Sequence, residues 1–193
     1  MIEKFINSGA LFIDDRGSSS VAGTEILRSQ LPELFKQYNI QSMFDAGCQD
    51  CEWAYLLSAF VEYHGGEINS ELVEAAKSKH PDLDVIKFNI LTDQFPYVDL
   101  LFVRDVTIHF SNAEKKMFLK NFKNSNIPWL LITHLPDELI NTDIVSDILI
   151  CTAITNWCLS PWNWPMPQAM AWEVNPNGRS MSLWHRDQLE DLI

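Results

Sequence analysis

The stretch Arg104-Asp105-Val106-Thr107-Ile108-His109 sets a carboxylate and an imidazole four residues apart. If a helical turn forms there, both lie on one face. An imidazole oriented by a carboxylate can take the proton of a hydroxyl as its oxygen becomes a nucleophile. The competing reading is that His109 packs under the following helix and only braces the loop. His134, at the end of a later apolar run, is the reserve base. Further along, Trp157, Trp162 and Trp164 cluster with Pro161, Pro165 and Pro167. Aromatics on a proline-stiffened loop can line a pocket for a sugar face or an aromatic ring. They can equally form a rigid apolar cover. Trp162, Asn163 and Trp164 are the candidate acceptor-binding residues, Asn163 supplying the polar contact.

A second group surrounds Asp45-Ala46-Gly47-Cys48-Gln49-Asp50, which follows a short apolar run. A glycine at such a strand-to-helix turn lets the backbone approach a ligand, and a helix N-terminus favours negative groups. A dinucleotide site asks for G-x-G-x-x-G, so that the pyrophosphate touches backbone. Only Gly47 is present here. S-adenosylmethionine (SAM) carries no phosphate, so one glycine suffices, and Asp45 could face its cationic end. Glu67 stands 22 residues after Asp45, the distance at which a carboxylate accepts ribose hydroxyls. It could also be a surface residue at a strand end. Asn89-Ile90 closes the next strand, where it could read an adenine edge or simply make a turn.

These residues must be held by an alternation of strands and helices. A helix is expected over about Thr24 to Tyr38, with Thr24 as its cap and Ile26, Leu27, Leu31, Leu34 and Phe35 at helical spacing. Strands are expected at Ser42–Ala46, Tyr63–Ile68, Val85–Phe88, Val98–Val103 and Trp129–Thr133. Helices are expected at Glu52–Phe60, at Glu71–Lys79 capped by Ser70, and after Ser111, where Glu114 completes a capping box. This rhythm implies a parallel sheet with helices on both faces. The C-terminal third departs from it. Ala169–Val174 and Ser180–Trp184 read as an antiparallel hairpin turning at Asn175–Gly178.

The bulk numbers narrow the classes. The 193 residues suit a single domain over 1–193, with 1–20 as an N-terminal arm and flexible loop. The net charge of −12 argues against non-specific binding to nucleic acid or an anionic membrane. No apolar run is long enough to span a bilayer and no signal peptide is evident, so a cytoplasmic location is expected. Cys48-x-x-Cys51 could be half a zinc or redox site, but Cys151 and Cys158 make a poor second half. Free thiols and no metal are expected.

In this order the pieces resemble class I, Rossmann-like SAM-dependent methyltransferases, over about Gly17 to Leu192. Asp45-x-Gly47 is similar to the first SAM motif and Glu67 to the acidic ribose position. Asn89-Ile90 falls at the adenine position, and Arg104-Asp105-Val106-x-x-His109 resembles the fourth-strand motif. A narrower resemblance is to small bacterial and viral-type methyltransferases. It rests on Gly17-Ser18-Ser19 with Thr24, Asp45 to Asp50 with Trp53, Arg104 to Ser111, Thr133-His134, Pro161-Trp162-Asn163-Trp164-Pro165 and Ser182-Leu183-Trp184. Gly47 stands one place before the usual glycine of that pattern, and Asn89 replaces the commoner Asp. The resemblance implies a mostly parallel seven-stranded sheet with a C-terminal antiparallel hairpin. It implies SAM as cofactor, bound by Ser19, Thr24, Asp45, Ala46, Gly47, Trp53, Glu67, Ile68, Asn89, Ile90 and Arg104. The activity implied is O-methylation of a small molecule or glycan hydroxyl, with Asp105, His109 and His134 as the candidate bases. The rivals are a non-catalytic methyltransferase-like binding subunit and a nucleotide-dependent oxidoreductase. A metal-assisted transferase is weaker still, because Asp105, His109 and His134 form no recognisable ligand spacing.

Overall fold

A computed structural model describes residues 17–144, 152–153, 155–173 and 178–192. The first part of the expected N-terminal arm, Cys151, Val174 and the hairpin turn Asn175–Asn177 lie outside the described residues.

Helix α1 (Glu25–Gln37) buries Leu27, Leu31, Leu34 and Phe35 of the expected stripe, whereas Ile26 is 43% exposed. Thr24 occupies the N-cap position but makes no side-chain cap. Its hydroxyl instead donates to the Ser20 carbonyl at 2.9 Å and accepts from Arg28 Nε at 3.2 Å. Strand β1 (Ser42–Ala46) follows. The helix expected over Glu52–Phe60 is a short 3-10 helix, Ala54–Ala59. Gln49 and Cys51 both take left-handed backbone, with φ of 52° and 57°, and this irregular loop delays the first helical turn. The dipole argument for that segment therefore loses most of its force.

Strand β2 (Glu62–Glu67) leads into helix α2 (Ser70–Lys79). Its cap is Asn69, whose side chain accepts from the Glu71 N–H, rather than Ser70. Strands β3 (Asp84–Lys87) and β4 (Leu100–Val103) come next, every residue of β4 being buried. A 3-10 turn (Thr107–His109) precedes helix α3 (Asn112–Asn124), which starts with the expected Ser111–Glu114 capping box. The chain then forms β5 (Trp129–His134), β6 (Ala169–Trp172) and β7 (Ser180–His185).

The sheet order is β3-β2-β1-β4-β5-β7-β6. The pairs β1–β2, β2–β3, β1–β4 and β4–β5 are parallel. Strand β7 runs antiparallel to both β5 and β6. Alternation along the strands feeds two cores. Met43, Leu100, Phe102 and Leu131 pack with α1 and α2 on one face. Phe44, Leu101, Val103, Leu130 and Ile132 pack with α3 and the tryptophans on the other. Strand order reverses between β1 and β4, and the crevice beyond such a switch point is where open α/β sheets bind ligands. Among the described residues no helix is long and apolar enough to cross a membrane.

Candidate active site

At the switch point, Gly47 turns the chain out of β1 with φ of 101°. A Cβ there would lie 2.3 Å from Val106 Cγ2. Both facts require glycine: the conformation is strained for any L side chain, and the loop after β4 closes against the backbone. The Gly47 and Cys48 amides donate to the Gly66 carbonyl at 2.7 and 3.2 Å, which locks the loop to the end of β2.

Glu67 is buried at that end. Its carboxylate accepts from the Gln49 amide at 3.1 Å and the Asn69 amide at 2.9 Å. Burial pushes its pKa up, against these backbone hydrogen bonds. Glu67 is thus no loose surface glutamate; it ties the β1 loop to the start of α2. Asp45 is 4% exposed and accepts a 2.8 Å hydrogen bond from the Tyr63 hydroxyl. Burial raises its pKa to about 7, opposed by the Tyr63 hydrogen bond and the Arg104 charge and reinforced by Glu67. Cys48 and Cys51 are buried free thiols, with Cys51 Sγ 3.6 Å from the Tyr63 hydroxyl. Among the described residues no group of three or more His, Cys, Asp or Glu could hold a metal.

Arg104 leaves β4 and lies over the Trp53 ring, 5.5 Å from its centroid. It forms a fork with Glu173, Nε to Oε1 at 3.0 Å and Nη2 to Oε2 at 2.8 Å, and reaches Ser19 Oγ at 3.4 Å. Arg179 joins the same carboxylate and also pairs with Asp105 at 3.0 Å. Asp105 lies 3.5 Å from Arg104 as well, so two arginines and two carboxylates close a ring. Sequence reasoning missed Tyr63, Glu173 and Arg179. Glu173 and Arg179 flank the hairpin turn with opposite charge, a pattern that could have flagged a cross-strand pair.

The fourth-strand residues are arranged differently from expectation. Asp105 has a left-handed φ of 56° and precedes the turn that carries His109, so the two do not share a helical face. The Asp105 amide donates to the Thr133 hydroxyl at 2.8 Å. His109 is half-buried on the 3-10 turn. His134 is 2% exposed, and its Nδ1 accepts the Trp157 amide at 3.2 Å. Burial lowers its pKa to about 4, despite a hydrogen bond to the Thr155 backbone. A neutral, doubly engaged imidazole braces the segment after β5; it is poorly suited to taking a proton.

Of the acceptor candidates, Trp162 and Trp164 are buried in the core on the α3 face. Trp164 stacks on Trp157 and meets Trp184 edge-on. The two indoles behave as a rigid cover, with Asn163 exposed between them at φ of 52°. Asn89 makes a turn, its Oδ1 accepting from the Leu91 amide at 3.0 Å, beside buried Ile90. Ala46, Trp53 and Thr24 are buried, and Ile68 is half-buried next to Glu67.

The strand order, the antiparallel β7 and the glycine turn at the switch point together decide the architecture. This is the class I methyltransferase fold. The magnesium protoporphyrin IX methyltransferase of Synechocystis PCC 6803, solved with bound SAM, superimposes over 95% of this chain and 93% of its own with a TM-score of 0.63 and 13% identity. In its SAH-bound form the match covers 61% of this chain and 58% of that one, with a TM-score of 0.51 and 19% identity. The PH0226 protein from Pyrococcus horikoshii OT3 matches over 82% of this chain and 88% of its own, with a TM-score of 0.60 and 15% identity. No family profile and no curated protein matches the sequence.

Proposed function

We propose that this chain is a SAM-dependent methyltransferase that methylates an oxygen of a small acceptor. The observation that carries the reading is the cradle at the switch point. Gly47 is obligatory there, and Asp45 and Glu67 stand buried at the ends of adjacent strands. A single glycine leaves little close backbone approach for a pyrophosphate, whereas a cationic, phosphate-free nucleoside needs none and suits flanking carboxyl groups. The fold neighbour solved with bound SAM supports the same choice of cofactor.

On this reading Glu67 takes the ribose hydroxyls, Asn89 and Ile90 border the adenine, and Asp45 faces the ammonium. Ser19, Thr24, Trp53 and Arg104 close the methionine end. Ala46, Gly47 and Ile68 contribute backbone. Bound there, SAM supplies an electrophilic methyl on a positively charged sulfur. The protein holds the acceptor in line behind that methyl and excludes water, and positioning of this kind provides most of the acceleration. The space beyond Asp105 and His109 is where the acceptor sits. A hydroxyl acceptor, whether of a small molecule or a glycan, would need a proton acceptor, and Asp105 is already paired with two guanidinium groups.

Calorimetric titration with S-adenosylhomocysteine (SAH), SAM and NADH tests the reading. SAH and SAM should bind and NADH should not. Glu67→Gln weakens the acceptor of the ribose hydroxyls and should raise the SAH Kd by at least about tenfold. Absence of any heat with SAH or SAM, or preferential binding of NADH, removes the proposal.

A further inference from the structure

Resting on the methyltransferase reading above, we propose that the acceptor oxygen belongs to a small-molecule carboxylate held by Arg179. The geometry at the open end of the four-residue charge ring carries this. The Arg179 side chain is 23% exposed, whereas Arg104 and Glu173 are 5% and 4% exposed. Arg179 immediately precedes β7, whose first residue Ser180 pairs with His134 at the end of β5. It therefore stands at the carboxyl edge of the parallel strands, against Asp105, where the acceptor sits. A guanidinium has five N–H donors in a planar fork. The contacts to Asp105 and Glu173 come from its two terminal nitrogens, one to each carboxylate. Donors remain for a further planar anion, the geometry that arginine recognises best.

The state of the expected bases points the same way. Asp105 Oδ2 is held by Arg179 and Arg104, and its Oδ1 lies 3.4 Å from the Thr133 hydroxyl. Both oxygens of that carboxylate are thus already engaged. His134 is committed to the backbone on both sides. A carboxylate acceptor asks nothing of either residue, because it is already ionised near neutral pH. Its oxygen lone pair forms the bond to the methyl carbon as the carbon–sulfur bond breaks. Sulfur keeps that bonding pair, a methyl ester and a neutral thioether result, and no proton moves. The reacting partners start with opposite charges and end neutral, a change that a desolvated site favours. The ring itself is formally neutral, with two arginines against Asp105 and Glu173, so a single added carboxylate meets no excess negative charge there.

The test uses the SAH-loaded protein and two matched pairs of probes, benzoate with benzamide and acetate with acetamide. Within at least one pair the acid should bind about tenfold or more tightly than the amide, as expected for a charge-assisted fork. Arg179→Gln should bring the two to equal affinity while SAH binds as before. Asp105→Asn releases a donor of Arg179 and should tighten the acid. Thermal unfolding of both variants checks that they are folded. Equal binding of acid and amide in both pairs, no binding of either, or a preference that survives Arg179→Gln overturns the proposal. So does transfer of a radiolabelled methyl from SAM into an alkali-stable product, since a methyl ester releases volatile methanol in alkali. Failure of SAH itself to bind would instead remove the methyltransferase reading.

Discussion

Asp45→Asn is the sharpest probe of the cradle, because the cost of charging Asp45 in the empty fold can be worked out. Its pKa rises from 3.8 to about 7, chiefly through burial. At about 1.4 kcal/mol per unit, the ionised carboxylate destabilises the empty protein by about 4 kcal/mol. The folded form holds the proton more tightly than the unfolded form. Its contribution to stability is therefore fully present below pH 3.8 and is lost as pH rises through about 7. The asparagine variant has no such loss, and titrations common to both proteins cancel in the difference. Between about pH 5 and about pH 8 the stability of the variant relative to the parent should grow by about 2.5 kcal/mol. Urea denaturation at intervals across that range measures it. If SAM places its ammonium on Asp45, SAH and SAM affinity in the parent should rise towards about tenfold per pH unit up to about pH 7 and then level, with no such rise in the variant. Parallel stability curves for the two proteins would refute the reasoning, because a buried, proton-holding Asp45 cannot produce them.

Gly47→Ala should destabilise by about 2–4 kcal/mol in urea denaturation and abolish SAH binding. Adding Val106→Ala should recover only the part due to the 2.3 Å clash, since the φ of 101° stays unfavourable. Glu173→Ala leaves Arg104 buried without its fork partner and should lower stability by about 3–5 kcal/mol, whereas Glu173→Gln should lose less. Lys115 is 1% exposed, with its ammonium 3.3 Å from the Ala153 carbonyl, and burial lowers its pKa from 10.5 to about 8. Its charged form costs about 3 kcal/mol below about pH 8, a cost that fades as pH rises through 10.5. Lys115→Met should therefore stabilise the protein near neutrality, with the gain gone above about pH 10.5 by the same denaturation assay.

The sequence made the sheet legible because its strands are short apolar runs whose alternate residues serve two cores. Leu100 to Val103, buried on both faces, is the plainest case. Element ends were read less well, and the reasons are local. Ser70 looked like a cap because it precedes a helical run, but Asn69 beside it satisfies the Glu71 amide and starts the helix one residue earlier. The segment after Gly47 has helical composition, yet Gln49 and Cys51 adopt positive φ and leave room for only a 3-10 turn. No propensity encodes that conformation. It goes together with the Gln49 amide reaching Glu67, a contact between residues 18 apart.

The same distinction separates the proposed cofactor side of the site from the proposed acceptor side. Gly47, Asp45 and Glu67 are tied to fixed points of the topology, the ends of β1 and β2, so their spacing along the chain carries the information. Glu173 and Arg179 enter the site from the hairpin, and their meeting with Arg104, which is 69 residues before Glu173, depends on β7 inserting beside β5. Spacing along the chain could not reveal that encounter. It also changes what the fourth-strand motif means: Asp105 looked like half of a base pair with His109, but its carboxylate is reached by two arginines and the Thr133 hydroxyl. A carboxylate in that setting orients and neutralises guanidinium groups. On the proposed reading, the chemistry open to the acceptor is set by Arg179 on the hairpin more than by the motif that first drew attention to β4.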